Sequence, residues 1–423
     1  MKLNYKRTIL IGLAFMSISA FWQMYDSVIP LMLKYSFDLG ETVTGFIMAA
    51  DNVLALFLLP LFGSLSDKVN TPIGKRMPFI IGGTILALIF LMLLPFAAQN
   101  QNLILFVVAL FLILISMGLY RSPAVALMPD LTPKPLRSKG NAVINLMGTL
   151  GGIFTLLMIK FLVGPGNTPN YFPLFTCVGA FMLICIIVLF FTIKENKLRA
   201  KMPKDEEPEE EKATNNGKAL SKDVKRSLYF MLASIALWFI GYNGVTTAFS
   251  RYATEVWGLQ DGSYADCLLV ATVTAVIGYI PIAIISGKLG RKKTILMGII
   301  LLLICYGSAS IFNTYHPIMN LFFGLIGFGW AAITVNSLPV VLEMCSSADV
   351  GKYTGYYYTF SMSAQIITPI LSGFLMEHIS YRILFPYAVA FTAAAFITMT
   401  QVKHGDSKPV QKKDLLETFD IDD

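Results

Sequence analysis

Charge is what this chain has least of. Only 14% of its 423 residues are Asp, Glu, Lys or Arg, while 55% are hydrophobic and the mean hydropathy is +0.65. A soluble domain carries about a quarter charged residues, so that class is excluded. Histidine is scarce as well, three in all, and His316 and His378 fall near the ends of apolar stretches, poor places for a central proton relay. The five cysteines (Cys177, Cys185, Cys267, Cys305 and Cys345) lie in or beside apolar stretches without metal-ligand spacing. They read as buried thiols with no redox or metal role. There is no nucleotide-binding loop, metal cluster or nucleophile–base arrangement, so catalysis, a cofactor and ATP-driven pumping are not expected.

What the chain has is length in apolar runs. Crossing a bilayer takes roughly 20 apolar residues, and twelve such spans can be read, at approximately 7–33, 41–65, 78–97, 102–127, 138–163, 172–193, 227–252, 264–287, 293–312, 316–342, 353–376 and 382–402. The first is too long for a signal peptide and lacks a small-residue cleavage site, so it reads as a permanent span. The second six spans repeat landmarks of the first at an offset of 216 residues: Trp22 and Trp238, Gly74 and Gly290, Pro123 and Pro339. Internal duplication of this kind lets two bundles rock around a shared central site. The expected fold is therefore an all-α membrane protein of two pseudo-symmetric six-helix bundles. The units are 1–193 and 227–402, with a linker at 194–226 and a tail at 403–423.

Basic residues set the orientation. With both termini cytoplasmic, the cytoplasmic segments hold 28 of the 33 Lys and Arg, as the positive-inside rule requires. The net charge of +7 is mostly this bias, which makes nucleic acid a poor partner. The linker is polar and dense in both charges, and reads as a tether, as does the tail. Lys160, Arg251 and Glu255 lie toward span ends, where they can snorkel to headgroups, and no role is assigned to them.

Span 2 ends in GSLSDKVNTPIGKRMPF, residues 63–79, where Asp67 can pair with the turn Gly74-Lys75-Arg76. The second half has SGKLGRKK at 286–293, the basic cluster without the acid. With twelve spans in a 6+6 repeat, this resembles the loop 2–3 signature of the major facilitator superfamily. Six residues separate Asp67 from Gly74, and RSPAVALMPDLTPKPLRSKGNA follows at 121–142. Both features look like the sucrose carriers and the related glycoside–pentoside–hexuronide cation symporters. One departure is clear: the plant sucrose carriers have their arginine where this chain has Val125, and Arg121 is four residues earlier on the same helix face. Span 5 lacks the glycine–proline–glycine motif of drug/proton antiporters; its glycines read as helix-contact surface.

A charge near the bilayer centre is costly, so Asp26, Asp51 and Arg121 either form structural ion pairs or meet substrate and coupling ion. By resemblance to melibiose-type carriers, Asp26 on span 1 serves sugar and Asp51 on span 2 serves the cation. Spans 1, 4, 7 and 10 line the cavity in the superfamily, which implies a recognition set of Trp22, Gln23, Asp26, Arg121, Trp238, Tyr242, Asn243, Trp330 and Asn336. Tryptophan faces for a sugar ring, with amides and hydroxyls for its OH groups, suit that role; ordinary packing is the competing reading. In span 11 only one of Tyr356, Tyr357 and Tyr358 can face the cavity, and Gln365 is a further candidate. Asp67, Gly74, Lys75, Arg76, Asp130 and Arg137 read as a cytoplasmic gate that holds an outward-facing state, with Asp130 open to Arg137 and Glu343 to Lys352. The function expected is symport of a sugar or glycoside with H+ or Na+ by a monomer in the plasma (inner) membrane. Efflux antiport and uncoupled facilitation are the alternatives within transport. A non-transporting sensor would have lost the membrane acids or gained a soluble domain, and the sequence shows neither.

Overall fold

The computed structural model describes residues 3–133, 136–166, 168–200, 221–345 and 349–406. Most of the 194–226 linker and most of the tail therefore lie outside the described residues. Among the described residues there are twelve long helices: α1 (Tyr5–Phe37), α2 (Glu41–Lys68), α3 (Met77–Gln99), α4 (Leu103–Asp130), α5 (Arg137–Leu162) and α6 (Phe172–Thr192), then α7 (Lys222–Glu255), α8 (Ala265–Leu289), α9 (Arg291–Ala309), α10 (Ile318–Glu343), α11 (Val350–His378) and α12 (Leu384–Thr400). All twelve are long and apolar enough to cross a membrane, α12 together with a short 3-10 turn before it. Local chemistry sets several ends. Asn4 caps α1 by accepting from the Arg7 N–H at 3.1 Å, and Asn102 caps α4 by accepting from Leu105 at 3.0 Å. Large apolar side chains such as Phe57, Ile104, Phe161 and Ile397 point outward, more than 60% exposed. Helices can carry them into lipid because every backbone bond inside a helix is met within the helix itself.

The duplication is structural. In the first half α1 packs on α5 and α6, α4 on α2 and α3, and α3 on α6. Each contact recurs six helices later: α7 on α11 and α12, α10 on α8 and α9, and α9 on α12. The halves meet through α1–α7, α2–α11 and α5–α8, a set that maps onto itself when the halves are exchanged. Gly74 and Gly290, 216 apart, both have positive φ (127° and 94°) in the turns before α3 and α9. Each of those helices is capped by a carboxylate from the segment that follows the last helix of its own half. Glu195 accepts from the backbone N–H groups of Lys75, Arg76 and Met77, and Asp406 accepts from that of Lys292. So the first residues of the linker and of the tail are tied to the bundle, not loose.

Twelve crossings put the start of α1 and the end of α12 on one face, the terminal face; the other is the far face.

Candidate transport site

A cavity of about 560 Å³ lies between the halves, and most of its lining comes from the first half. On α1 the lining residues Phe15, Ser19, Trp22, Gln23 and Asp26 fall at helical spacing, so one stripe of the helix faces inward. Arg121 and Val125, one turn apart on α4, both reach it, so the arginine shares the cavity wall with the position four residues later. The Arg121 guanidinium carbon lies 6.0 Å from the centre of the Trp22 ring, at the edge of cation–π range. Phe21 and Tyr25 meet Trp22 edge-on at 5.1 and 5.3 Å and fix its orientation. The second half adds Thr272 and Tyr358. Of the three consecutive tyrosines, Tyr357 is instead buried against Ser337.

A second, smaller chamber of about 90 Å³ is lined by Asp26, Asp51, Asn52, Asn243, Thr246, Thr247 and Gln365. Asp51 accepts from the Asn52 backbone at 2.6 Å and from its side-chain amide at 2.7 Å. Asp26 belongs to both spaces.

Four of the expected recognition residues line neither space. Trp238 is fully buried. It shares a face of α7 with Gly241, which lies against Ala388 and Thr392 of α12, so that face packs within the half. Tyr242 and Trp330 stack on each other, ring centres 3.7 Å apart and planes 3° from parallel. Asn336, 2% exposed, donates to the Ala332 carbonyl and accepts from Ser286. The 216-residue offset relates Trp22 to Trp238 in sequence, but the two side chains meet different surroundings. The signal missed in the sequence lies on α5, where Asn141, Asn145 and Thr149 recur every fourth residue and line the cavity.

The described polar contacts between the halves gather at the far face, on residues to which the sequence assigned no role. Arg251 of α7 donates to Glu41 of α2 at 2.6 Å, with side chains 1% and 4% exposed. Tyr381 donates to the same Glu41. Lys34 contacts Glu255 at 2.6 Å, and Tyr35 donates to Glu255 at 2.5 Å. Lys160 pairs with Asp266 at 2.8 Å. Arg251, 1% exposed, therefore does not snorkel, and Lys160 and Glu255, though partly exposed, each have a counter-charge on the other half.

At the terminal face, Arg76 bonds Asp67 at 2.5 Å and Asp130 at 2.9 Å, and Lys75 approaches the same two acids at 3.3 and 3.6 Å. Arg137 donates to the Thr132 carbonyl at 3.3 Å. In the second half Glu343 pairs with Arg291, not with the expected Lys352, so the basic cluster without an acid of its own obtains one from the end of α10. These described bonds lie within a half. They brace the loops 2–3 and 8–9 while the far face is sealed.

The family description Major Facilitator Superfamily matches residues 11–315 and 258–418. The chain belongs to that superfamily. Among curated relatives, this transporter is 23% identical over 343 residues to the isoprimeverose transporter of Lactiplantibacillus pentosus, covering 76% of this chain and 68% of that one. It is 24% identical over 213 residues to sucrose transport protein SUC3 of Arabidopsis thaliana, covering 41% of this chain and 35% of that protein. These matches agree with the sucrose-carrier and glycoside-symporter resemblance of the loop 2–3 and span 4 motifs. A crystal structure of a mutant POT peptide transporter in complex with alafosfalin superposes with a TM-score of 0.70 at 13% identity, covering 94% of this chain and 93% of that one, which shows a shared fold.

Proposed function

We propose that this transporter is a symporter that couples H+ or Na+ to a sugar or glycoside by alternating access. The observation that carries the reading is Asp26, one carboxylate lining both a solute-sized cavity and a small polar chamber that holds Asp51. About 560 Å³ lies within the roughly 300–1,000 Å³ of small-molecule sites. A carboxylate at mid-membrane costs about 2.5–3.5 kcal/mol on insertion scales, and protonation or a bound cation relieves that cost. Asp51 is then the ion-accepting group, while Asp26 links ion occupancy to the sugar hydroxyls it accepts. Trp22 offers a ring face to the sugar, with Gln23 and Arg121 as hydrogen-bonding neighbours. The names of the relatives, isoprimeverose and sucrose transporters, point the same way.

The distribution of basic residues supports a cytoplasmic terminal face, and with the far face closed by Arg251–Glu41 the conformation reads as inward-facing. Residues 1–193 and 227–402 are the two moving bodies, in one multi-pass chain of the plasma (inner) membrane. The deciding experiment reconstitutes wild type and Asp51→Asn in proteoliposomes. The variant should lose accumulation driven by a pH or Na+ gradient while keeping substrate exchange. Intact gradient-driven uptake would remove Asp51 as the coupling group, and a thermal-shift screen in which no sugar stabilises the protein would remove the sugar.

A further inference from the structure

The cavity wall on α5 has the same spacing as the stripe on α1. Asn141, Asn145, Gly148, Thr149 and Gly152 sit at i, i+4, i+7, i+8 and i+11, as do Phe15, Ser19, Trp22, Gln23 and Asp26. The two helices run side by side in the same direction. A Cβ on Gly148 would lie 3.0 Å from the Ser19 hydroxyl and one on Gly152 would lie 3.7 Å from the Gln23 amide oxygen, which fixes their register. Gly152 is therefore level with Gln23, and Thr149 with Ala20, about 3 Å nearer the terminal face than Trp22. Asn145 and Asn141 fall one and two turns nearer the terminal face, about 6 and 12 Å from Thr149 at 1.5 Å per residue. A ring resting on Trp22 leaves both amides to a different part of the ligand.

We infer that Asn141 and Asn145 form a second subsite, which binds the hydroxyls of a second polar unit in an extended glycoside lying along α5. This rests on the sugar reading above and makes it more specific: the solute has at least two linked units. The deep subsite, at Trp22, Gln23 and Asp26, holds one of them. An asparagine amide has two donors and a two-lone-pair acceptor, so it can keep a partner in the protein and still bind a ligand hydroxyl. Gly152 keeps the space beside Gln23 open, since any side chain there would grow into it.

The test measures binding of isoprimeverose and of sucrose, and of their component monosaccharides, to purified wild type, Asn141→Ala/Asn145→Ala and Trp22→Ala. The double variant should bind the disaccharide that wild type binds about tenfold more weakly, the loss of one or two net hydrogen bonds. Its monosaccharide affinity should change less than about twofold, whereas Trp22→Ala weakens both classes. Unchanged disaccharide affinity, or equal loss for mono- and disaccharide, overturns the subsite. So does a wild type that binds a disaccharide no more tightly than its parts. If wild type binds none of these sugars, the sugar reading itself falls and takes the subsite with it. Should the double variant fail to fold, Asn145→Ser, which shortens the reach of the polar group, must give the same split between the two ligand classes.

Discussion

Arg251 and Glu41 form a buried ion pair that joins the two halves at the far face, Nη1 to Oε2 at 2.6 Å. Neither charge has appreciable contact with solvent, so the pair can open only when the bundles part there and water enters. Removing one partner of a buried pair costs about 3–5 kcal/mol, because the other charge is stranded. That cost falls on this conformation and not on one in which Arg251 is hydrated. Glu41→Gln should therefore shift the population toward the state open at the far face. A cysteine placed at Thr246, in the small chamber, should then be alkylated faster from the far face than in the unmutated background. The charge-swapped pair Glu41→Arg/Arg251→Glu should bring the rate back. Equal rates in all three proteins would show that the pair does not hold the face shut.

The same face is closed by backbone contact. A Cβ on Gly45 would lie 2.2 Å from the Pro369 carbonyl oxygen, and one on Gly373 would lie 2.3 Å from that of Glu41. Both approaches cross between α2 and α11. Overpacking costs about 1–3 kcal/mol, and here separating the bundles relieves it. Gly373→Val should mimic Glu41→Gln in the alkylation assay with little loss of melting temperature. Gly151, whose Cβ would lie 1.9 Å from the Met16 carbonyl oxygen within the first half, has no such release. Gly151→Ala should lower the melting temperature without changing alkylation. Identical behaviour of the two variants would contradict this division.

The two tryptophans related by the 216-residue offset should separate in function. Trp22 lines the cavity, and Trp22→Ala should reduce ligand binding with modest loss of stability. Trp238 is fully buried in the second half. Trp238→Ala should cost about 3–5 kcal/mol of stability, as large-to-small core changes do. A ligand-affinity loss for Trp238→Ala as large as that for Trp22→Ala, in a protein that still melts normally, would place it back in the site.

In the loop 2–3 cluster the two acids are unequal. The Asp67 side chain is 55% exposed, and the Asp130 side chain is 24% exposed against an Arg76 that is 5% exposed. Asp67→Asn should cost no more than about 1 kcal/mol, as exposed pairs do. Asp130→Asn should cost more, because it leaves a buried guanidinium with the solvent-facing Asp67 as its counter-charge beside the neutral Gly63 carbonyl and Ser66 hydroxyl. Melting temperatures of the two variants decide it, and a larger drop for Asp67→Asn would reverse the assignment.

Much of the fold is legible in the sequence because lipid imposes a one-dimensional rule. A span must be apolar for its whole length, so composition alone places twelve helices, and the offset between Trp22 and Trp238 or Gly74 and Gly290 announces two related halves. The inward stripe of α1 could also be read, since Trp22, Gln23 and Asp26 are polar or aromatic residues deep in a span. Loop 2–3 was partly readable: Asp67 with Lys75 and Arg76 is a local motif, whereas Glu195, 119 residues beyond Arg76, contributes a cap that no local pattern reveals.

The sequence by itself thus determined the number of crossings, the duplication and the presence of charge at Asp26, Asp51 and Arg121. Only the tertiary structure decided which face of the helices other than α1 looks into the cavity. It turned Trp238 into core, stacked Tyr242 on Trp330, and brought Asn141 and Asn145 to the cavity wall. It also matched Glu41 to Arg251, 210 residues apart. The physical reason is common to all of these. Hydropathy depends on each residue alone, but facing and pairing depend on which other helix lies alongside, and in a bundle that neighbour is set by packing across the whole chain.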